Sequence, residues 1–458
     1  MSFRLILDPT RQAKRRITMS EEISSEIAEI IGEGLRRREK DQSQRYRPLN
    51  LPANPFPLAS IASVELAPYF PPVRPRVRSE IERFLRTTSQ SRRFAGLRVI
   101  GDFGFGKTHL LRWLEYHLNQ SGKGKIRAFY IDNPGLSPRE LLFALTRGIG
   151  EEELRKQIWL IILAEFANQS AAQGSAFTES FFPSRRGVPP LQVSLFPRLD
   201  ERLRELSSNE SLSNYQLFIR RFNDLELDKE RLKDLAAEAL APIVRNLEVV
   251  RQLISFALDE KYSAFKSWMA LSSGEVRGSL LVPQKDHFRA IINILKHNEV
   301  QYLYLLADEF EDITSARLTK RKQAEYYAAL RIFIDSNLQD FALIIAVTEG
   351  GWKDLISVYP AVEKRFSHFV SLTPLEKAEV GVLVQQYLDF SRRDSEYQDF
   401  VGQLTPFTPE AIAALHSSLD RNPRTIIGFC HRLVEHCVDR KLRSIDADLV
   451  KDLSRTQA

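Results

Sequence analysis

The sequence predicts an α/β protein, in which helices flank a five-stranded parallel sheet and a separate all-helical domain forms the C-terminal end. Five short apolar runs, each of strand length, are separated mainly by segments of helical periodicity. Such alternation favours a parallel sheet that is covered on both faces. A large helical insertion is predicted between the second and third runs, and beyond Glu376 the periodicity is helical to the end of the chain.

The five predicted strands are short apolar segments that stop at turn or helix signals. In chain order they are LRVIGD at 97–102, IRAFYIDN at 126–133, a run at 300–307, FALIIAVT at 341–348 and HFVSLTPL at 368–375. The segments VRSEIERFLRTT and HLLRWLEYHL are predicted as helices on either side of the first strand. The sheet is therefore expected to occupy the middle of the chain.

Composition shifts predict four regions along the chain. Residues 1–47 are predicted to form a basic helical N-terminal extension. Residues 48–75 are rich in proline, which resists regular secondary structure, and are predicted to be a linker. Residues 76–375 are expected to hold the sheet, with the helical insertion at about 135–297, and residues 376–458 to form a helical lid domain.

The composition indicates a globular protein, because 43% of the residues are apolar and 27% are charged. Two cysteines, Cys430 and Cys437, fit neither a disulfide framework nor a four-ligand zinc site. The N-terminus does not resemble a signal peptide, and the apolar runs fall short of the roughly 20 residues that span a bilayer. We therefore expect a cytoplasmic protein that does not enter the membrane.

The charge balance permits contact with nucleic acid. The formal net charge is +6 and the pI is near 9.1. Lysine and arginine are concentrated at 14–16, 36–38 and 74–86, and such clusters can neutralise phosphates. Solvated helix faces are an equally open interpretation of these clusters.

Residues 101–108 match the phosphate-loop pattern, which is a glycine, four residues and then glycine, lysine and threonine. Its glycines let backbone N–H groups surround phosphate oxygens at a helix N-terminus, where the helix dipole favours an anion. Lys107 is expected to reach the β- and γ-phosphates, and Thr108 to bind Mg²⁺. The candidate nucleotide-binding residues are Gly101, Asp102, Phe103, Gly104, Phe105, Gly106, Lys107, Thr108 and His109.

A second candidate element is the apolar run LYLLADEF, which ends in Asp308 and Glu309. Asp308 is expected to hold the water shell of Mg²⁺, and Glu309 to orient and polarise an attacking water. Acidic residues after an apolar strand are common, and the phosphate loop in the same chain makes this pair specific. Glu311 and Asp312 extend the acidic run and are alternatives for the metal role, although solvated or partner-binding side chains are the favoured interpretation.

Thr348, at the end of the fourth predicted strand, is a candidate sensor of the lytic water or the γ-phosphate. A threonine that only caps the strand is the competing interpretation.

Two arginines are candidates for contacts with phosphate. Arg365 lies just before the fifth predicted strand, where a guanidinium could reach the γ-phosphate of a neighbouring subunit; Lys364 and an ordinary surface arginine are the alternatives. In the lid, the sequence NPR places Arg424 at a predicted helix start, from which it could point onto the phosphates. Arg421 is close enough to be the alternative.

With these elements in this order, residues 75–455 resemble an AAA+ ATPase, most of all the origin-recognition initiator branch. The phosphate loop, the acidic pair, Thr348, the arginine at 365 and the lid motif carry the resemblance. The phrases GKTHLLRWL, LLADEFEDI and AVTEGGW, with the large insertion, are also similar to ATP-binding proteins of prokaryotic defence systems such as BREX.

These resemblances, together with the basic N-terminal region, imply a homo-oligomeric switch that hydrolyses Mg-ATP. ATP and Mg²⁺ are the expected cofactors, and DNA or a DNA-processing protein is the expected target, with phage defence as one setting. A protein partner is expected on the helical insertion. The rival hypothesis is a nucleotide-gated scaffold or signalling ATPase with little turnover and no direct DNA contact.

Overall fold

The computed structural model describes residues 44–58, 69–137, 140, 144, 147–173, 177, 229–258, 284–298, 300–310, 319–335 and 339–455. The chain divides into two compact units. One unit is Ala62–Thr373, and the other combines Pro374–Ala458 with residues N-terminal to the first unit.

The first unit is built on a five-stranded sheet in which every neighbouring pair of strands is parallel. The strands are β1 (Ala95–Ile100), β2 (Ile126–Ile131), β3 (Tyr302–Ala307), β4 (Phe341–Val347) and β5 (His368–Ser371). They lie in the order β2-β3-β4-β1-β5. The predicted α/β fold with a five-stranded parallel sheet is thus confirmed.

Helices are distributed over both units. In chain order, those in the described residues are α1 (Pro75–Gln90), α2 (Lys107–Ser121), α3 (Glu151–Gln173), α4 (Lys229–Val244), α5 (Leu247–Leu258), α6 (Gln284–His297), α7 (Lys320–Asp335), α8 (Glu349–Val358), α9 (Lys377–Arg392), α10 (Pro409–Ser418), α11 (Pro423–Asp439) and α12 (Ala447–Arg455). In the described residues, no helix is both long and apolar enough to cross a bilayer.

Two apolar cores cover the two faces of the sheet, as expected when successive side chains of each strand point to opposite faces. On one face, Leu97 and Val99 of β1 pack with apolar side chains of α1 and α2. On the other face, Leu303 and Leu305 of β3 pack with α7, α8 and the insertion helices. The middle strands β3 and β4 are buried along their whole length.

The described part of the insertion between β2 and β3 is mainly helical, as predicted, and its helices α3 to α6 share the core of the second sheet face. A polar contact also joins two of them, because the Trp159 indole N–H donates to the carbonyl of Ala257 at 3.1 Å. The insertion therefore shares one apolar core with the sheet.

The C-terminal unit contains α9 to α12 and the turns between them. Arg392 at the end of α9 is fully buried, and its guanidinium donates to the carbonyls of Phe400, Gln403 and Thr405. Burying a charged group is costly unless it is hydrogen-bonded, and with the carbonyl of Asn50 these acceptors bind all three guanidinium nitrogens. Both cysteines, Cys430 and Cys437, are buried in this unit as free thiols.

Residues 44–58 belong to this C-terminal unit. Phe56 is buried between the rings of Tyr387 and Phe407, with centroid distances of 5.5 and 5.8 Å. The Tyr46 hydroxyl donates to Glu435 of α11 at 2.6 Å, and Arg392 also donates to the carbonyl of Asn50. The first part of the predicted 48–75 linker is therefore packed on the lid helices.

Candidate functional site

The phosphate-loop residues leave the carboxyl end of β1 and enter α2, which begins at Lys107. Gly104 and Gly106 adopt φ of 82° and 95°, in the left-handed region where glycine avoids a steric penalty. Gly101 is needed for a different reason, because a Cβ there would lie 2.8 Å from Cβ of Leu372. The glycines of the motif therefore have a structural requirement that matches the predicted loop.

The loop is fastened between the ends of two neighbouring strands. The Gly101 N–H donates to the carbonyl of Val347, at the end of β4, at 3.2 Å. The Leu372 N–H, just after β5, donates to the carbonyl of Ile100 at 2.7 Å. Strand ends at the carboxyl edge of an open parallel sheet are where such folds bind ligands.

Lys107 lies inside this loop. Its ammonium donates to the carbonyl of Gly101 at 2.8 Å and to that of Asp102 at 3.4 Å, and the residue is only 8% exposed. It also lies 5.3 Å from the ring centroid of Phe103, which is 74% exposed. The loop thus concentrates a positive charge where the motif requires one.

Thr108 and His109 occupy the first turn of α2 and are half-buried. The His109 ring Nε2 is 2.7 Å from the carbonyl of Phe70, and burial lowers the pKa of this imidazole. The ring is therefore neutral at pH 7 and donates through Nε2. His109, predicted to bind nucleotide, is held by the segment that precedes α1.

Asp308 follows β3 at the same sheet edge and is 2% exposed. Its Oδ2 accepts a hydrogen bond from the hydroxyl of Tyr130 at 2.9 Å, and its Oδ1 accepts from the N–H of Glu309 at 3.0 Å. Its own N–H donates to the carbonyl of Ile131 at 2.8 Å. A buried carboxylate that accepts two hydrogen bonds, on a backbone held by a third, has a defined orientation.

Glu309 is exposed and has φ of 51°, a left-handed conformation that is uncommon for glutamate and costs on the order of 1 kcal/mol. The backbone turns here, so that the two adjacent carboxylates separate: Asp308 is buried and Glu309 faces solvent. Strained backbone of this kind often accompanies functional sites.

Tyr130 of β2 connects Asp308 to α2. The Arg112 guanidinium lies 3.4 Å from the centroid of the Tyr130 ring and pairs with Glu115 at 3.0 Å. Glu115 in turn accepts a hydrogen bond from the backbone N–H of Tyr130. Burial and the nearby Asp308 carboxylate raise the pKa of Tyr130, so its hydroxyl stays protonated and donates.

Thr348 follows β4, between the loop and Asp308 at this edge. It is the N-cap of α8, and its Oγ1 accepts a hydrogen bond from the Gly351 N–H at 3.1 Å. A capping role is therefore present. The hydroxyl proton of a capping threonine is not used by the cap, and the sensor role stays a prediction.

Strand register places these residues together. Ile100 pairs with Val347, and Ala307 pairs with Ile345. The residues that follow these strands, Gly101, Thr348 and Asp308, consequently lie along one edge, with neighbouring strands about 4.8 Å apart.

Arg365 lies at the other end of the sheet. It ends the 3-10 turn Pro360–Arg365 before β5, with Nη1 donating to the carbonyl of Ala361 at 2.9 Å. Its carbonyl lies directly beside Gly96, at the start of β1, where an added Cβ would clash with it. The phosphate loop begins five residues later, roughly 17 Å along the strand. The alternative, Lys364, is in the same turn and exposed.

Arg424 belongs to the C-terminal unit, in the first turn of α11. Asn422 caps this helix, its Oδ1 accepting from the Arg424 N–H at 2.9 Å, and Pro423 occupies the first turn. The predicted helix start is confirmed. Arg421, the alternative, has φ of 60° just before the helix.

One residue that hydrogen-bonds to the phosphate loop was not identified from the sequence. Arg74 is 8% exposed, and its guanidinium donates to the carbonyl of Thr373 at 2.7 Å and to that of Phe105 in the loop at 3.3 Å. In the sequence, Arg74 is one member of a basic cluster that continues to residue 86, and no pattern distinguishes it from the others.

The remaining candidates, Glu311 and Asp312, lie outside the described residues. In the described residues, no group of three or more histidine, cysteine or acidic side chains could hold a metal. The donors at this edge, one buried carboxylate and a threonine hydroxyl, are of the kind that bind Mg²⁺ together with substrate phosphates and water.

Comparison with known proteins gives similarity of structure only. No family model and no curated protein sequence matches this chain. Among solved structures, the ORC2 protein of Aeropyrum pernix in its ADPNP-ADP complexes is 12% identical, with a TM-score of 0.38 over 83% of this chain and 66% of that chain. The ADP form of that protein is 14% identical, with a TM-score of 0.38 over 84% and 69% of the two chains.

Cdc6p from Pyrobaculum aerophilum is 11% identical, with a TM-score of 0.32 over 83% of this chain and 68% of that chain. The aligned parts thus span about two thirds of the length of these archaeal proteins. Similarity at this level concerns the general course of the chain.

Proposed function

We propose that this protein binds and hydrolyses Mg-ATP and works as an oligomeric AAA+ switch that acts on DNA or loads a DNA-processing partner. One observation supports this most strongly. A phosphate loop with Lys107 at its centre and a buried carboxylate, Asp308, lie at the same carboxyl edge of one parallel sheet.

The loop residues recognise the triphosphate. Backbone N–H groups of the loop and of the first turn of α2 bind phosphate oxygens, and the helix dipole favours their negative charge. The Lys107 ammonium, which lies on the Gly101 carbonyl, exchanges this partner for phosphate oxygens when nucleotide enters. Thr108 and Asp308 would hold Mg²⁺, which supplies neutralisation of the phosphate charge.

Glu309 is the proposed base. Its left-handed backbone directs the side chain away from the buried Asp308 and into solvent, from which the attacking water comes. A carboxylate in this position orients the water and accepts its proton as the oxygen bonds to the γ-phosphorus and the bond from that phosphorus to the β-phosphate oxygen breaks, which releases ADP. The helix cap uses the Thr348 hydroxyl only as an acceptor, and Thr348 is the proposed sensor of phosphate or water at the same edge.

Two substitutions test this proposal. Glu309→Gln should keep ATP affinity within about threefold and lower the hydrolysis rate on the order of 100-fold, because only the proton acceptor is lost. Lys107→Ala should weaken ATP binding on the order of 100-fold and abolish hydrolysis. Hydrolysis that is unchanged in Glu309→Gln would contradict the assignment of the base. Wild-type binding without measurable hydrolysis would favour the nucleotide-gated scaffold instead.

An oligomer is proposed from the position of Arg365. This residue lies at the opposite end of β1 from its own phosphate loop, so a contact of its guanidinium with a γ-phosphate requires a second subunit. Action on DNA is proposed from the net charge of +6 and the basic clusters of the N-terminal region. Arg424 is proposed to report nucleotide state from the lid.

A setting in phage defence is proposed only from the sequence phrases shared with defence-system ATPases. To test this setting, the wild type and Lys107→Ala are each expressed, with the genes that neighbour this one, in a host that phage can infect. Plaque formation is then compared. Equal plaque numbers for the wild type and an empty vector would contradict this setting.

A further inference from the structure

The C-terminal unit contains a cleft of about 900 Å³ that the nucleotide site does not use. One wall is made by residues 44, 45 and 47–50, and the other by residues 438 and 439 at the end of α11 with residues 441–443. Both walls belong to the same compact unit. We call this feature the basic cleft.

The ionisable side chains of the basic cleft are mostly positive. Arg45, Arg47, Lys441 and Arg443 line it, and Asp439 is the one acidic residue among the described residues of its lining. Four positive charges and one negative charge leave a formal excess of three.

Arg45 has its charge compensated at the edge of the cleft. It pairs with Asp439 at 2.9 Å and with Glu435 at 3.0 Å. Within the described part of the chain, no carboxylate pairs with Arg47, Lys441 or Arg443, and all three are exposed. Three positive charges in one cleft repel one another, and an anionic ligand would relieve this repulsion.

The backbone beneath these side chains is fixed. Asn50 has φ of 55°, its N–H donates to the carbonyl of Arg47, and its own carbonyl accepts from the buried Arg392. On the other wall Lys441 has φ of 57°, and its N–H donates to the carbonyl of Val438. The cationic groups are therefore carried by two tight turns.

The chemistry of the lining favours a phosphate backbone over a protein. Protein interfaces depend on aromatic and aliphatic anchors. No aromatic side chain occurs among the described residues that line the cleft, and Leu442, which is 37% exposed, is the one exposed large apolar side chain among them. Single-stranded nucleic acid is also disfavoured, because its binding sites use aromatic rings on which bases stack.

The sequence extends this positive charge. Arg36, Arg37, Arg38 and Lys40 precede Gln44, at the start of one wall, by fewer than ten residues, with Glu39 and Asp41 as the acidic residues among them. Because basic residues continue in the sequence before the cleft, an extended polyanion matches this charge better than a single phosphate does.

We propose that the basic cleft binds the phosphodiester backbone of duplex DNA without reading its bases. The proposal rests on the proposed function, since it names the surface with which that function would contact DNA. Arg47, Lys441 and Arg443 contact phosphates, and the contacts position the protein without selecting a sequence.

The test measures the affinity of the full-length protein for a fluorescent mixed-sequence duplex, with Mg-ATP, over a series of salt concentrations. The cleft variant is Arg47→Gln/Lys441→Gln/Arg443→Gln. The matched control is Lys377→Gln/Lys451→Gln/Arg455→Gln, which removes the same charge from exposed positions of the same unit outside the cleft lining. Thermal unfolding and ATP binding are measured for every variant.

The cleft variant should bind DNA about tenfold or more weakly, and its slope of log affinity against log salt should fall by about 2 to 3, near 1 for each lost phosphate contact. The control should stay close to wild type, and ATP binding should be unchanged in both. Equal losses in the two variants, or no loss in the cleft variant, would overturn the basic cleft while leaving the proposed function intact.

Two further results would overturn the proposal in other ways. One is that the wild type binds polyglutamate but not duplex DNA, and that the cleft variant loses this binding. That result would assign the cleft to an acidic protein. Failure of the wild type to bind any DNA would remove both the cleft proposal and the DNA part of the proposed function, and the ATP measurements would then decide the nucleotide part separately.

Discussion

The hydroxyl of Tyr130 donates a hydrogen bond to Oδ2 of Asp308 at 2.9 Å, and both groups are buried. This bond fixes a buried carboxylate at the edge where the phosphate loop lies. The orientation of Asp308 is therefore set from β2, through a residue that carries none of the proposed chemistry itself.

Tyr130→Phe should weaken the binding of the Mg²⁺ that hydrolysis requires. Loss of a hydrogen bond to a metal-binding carboxylate typically lowers metal affinity by about 10- to 100-fold. The check is a Mg²⁺ titration of ATPase activity, in which the half-saturating concentration should rise more than the maximal rate falls. Tyr304→Phe is the control, because it removes another buried tyrosine hydroxyl, which contacts Thr88 at 2.6 Å away from Asp308. Equal Mg²⁺ dependence in both variants would argue against this role.

Arg74→Lys should destabilise the sheet unit and weaken ATP binding together. A lysine cannot reproduce the contacts of the guanidinium with the carbonyls of Thr373 and Phe105, and one or two lost bonds cost about 1 to 3 kcal/mol each in a buried setting. Denaturant unfolding and nucleotide titration measure the two effects. Arg86→Lys, at an exposed position of α1, should change neither. An intact ATP affinity in Arg74→Lys would show that this arginine supports the fold alone.

The phosphate-loop motif and the sheet could be predicted because the local conformation or burial of each residue restricts which amino acid can occupy its position. Gly104 and Gly106 adopt left-handed backbone conformations, and β3 and β4 are buried on both faces, so their sequences are continuously apolar. Both signals are local and survive without knowledge of the rest of the chain.

Other features depend on distant partners and leave no local pattern. Arg74 contacts a loop residue about 30 positions away. Tyr46 and Phe56 contact lid helices nearly 400 positions away, although proline-rich sequence around them favours a linker. Composition predicts the local backbone conformation of a segment. It does not predict these contacts, which form only when residues far apart in the sequence meet in the folded protein.

The free energy of unfolding should decrease as the pH is lowered, because the His109 imidazole is protonated more readily in the unfolded chain. Burial lowers the pKa of this imidazole below its usual value of 6.5, so the unfolded chain takes up a proton that the folded chain resists. The stabilising contribution is complete above about pH 6.5 and is lost as the pH falls toward the folded pKa, with a slope of up to about 1.4 kcal/mol per pH unit.

Urea unfolding without nucleotide between pH 7.5 and 5 checks this. His109→Gln keeps an N–H donor for the carbonyl of Phe70 but does not titrate, so its free energy of unfolding should depend less on pH. His368 also has a pKa lowered by burial, yet is less buried, and His368→Gln should have the smaller effect. A pH dependence that is identical in wild type and His109→Gln would contradict the prediction.

Arg365 should act on the site of another subunit. Arg365→Ala and Lys107→Ala should each be inactive alone, because one lacks the guanidinium and the other the phosphate-binding lysine. If equal amounts of the two variants pair at random, about a quarter of the interfaces combine an intact Lys107 with an intact Arg365, so the mixture should regain up to about a quarter of the wild-type activity. Removal of a guanidinium at the γ-phosphate costs on the order of 10³ in rate. ATPase assays of the mixture measure this, with Lys364→Ala as the matched control. A mixture no more active than its components would leave Arg365 a structural residue of its turn.

Calorimetric titration of Mg-ATP into the wild type and into Lys107→Ala tests the nucleotide site most directly. The wild type should bind one ATP per chain, and loss of the ammonium that lies within the loop should weaken binding on the order of 100-fold, near 3 kcal/mol, without a change in thermal unfolding temperature. Equal affinities for the two proteins, or a folded wild type that binds no ATP, would contradict a phosphate site at Gly101–Thr108.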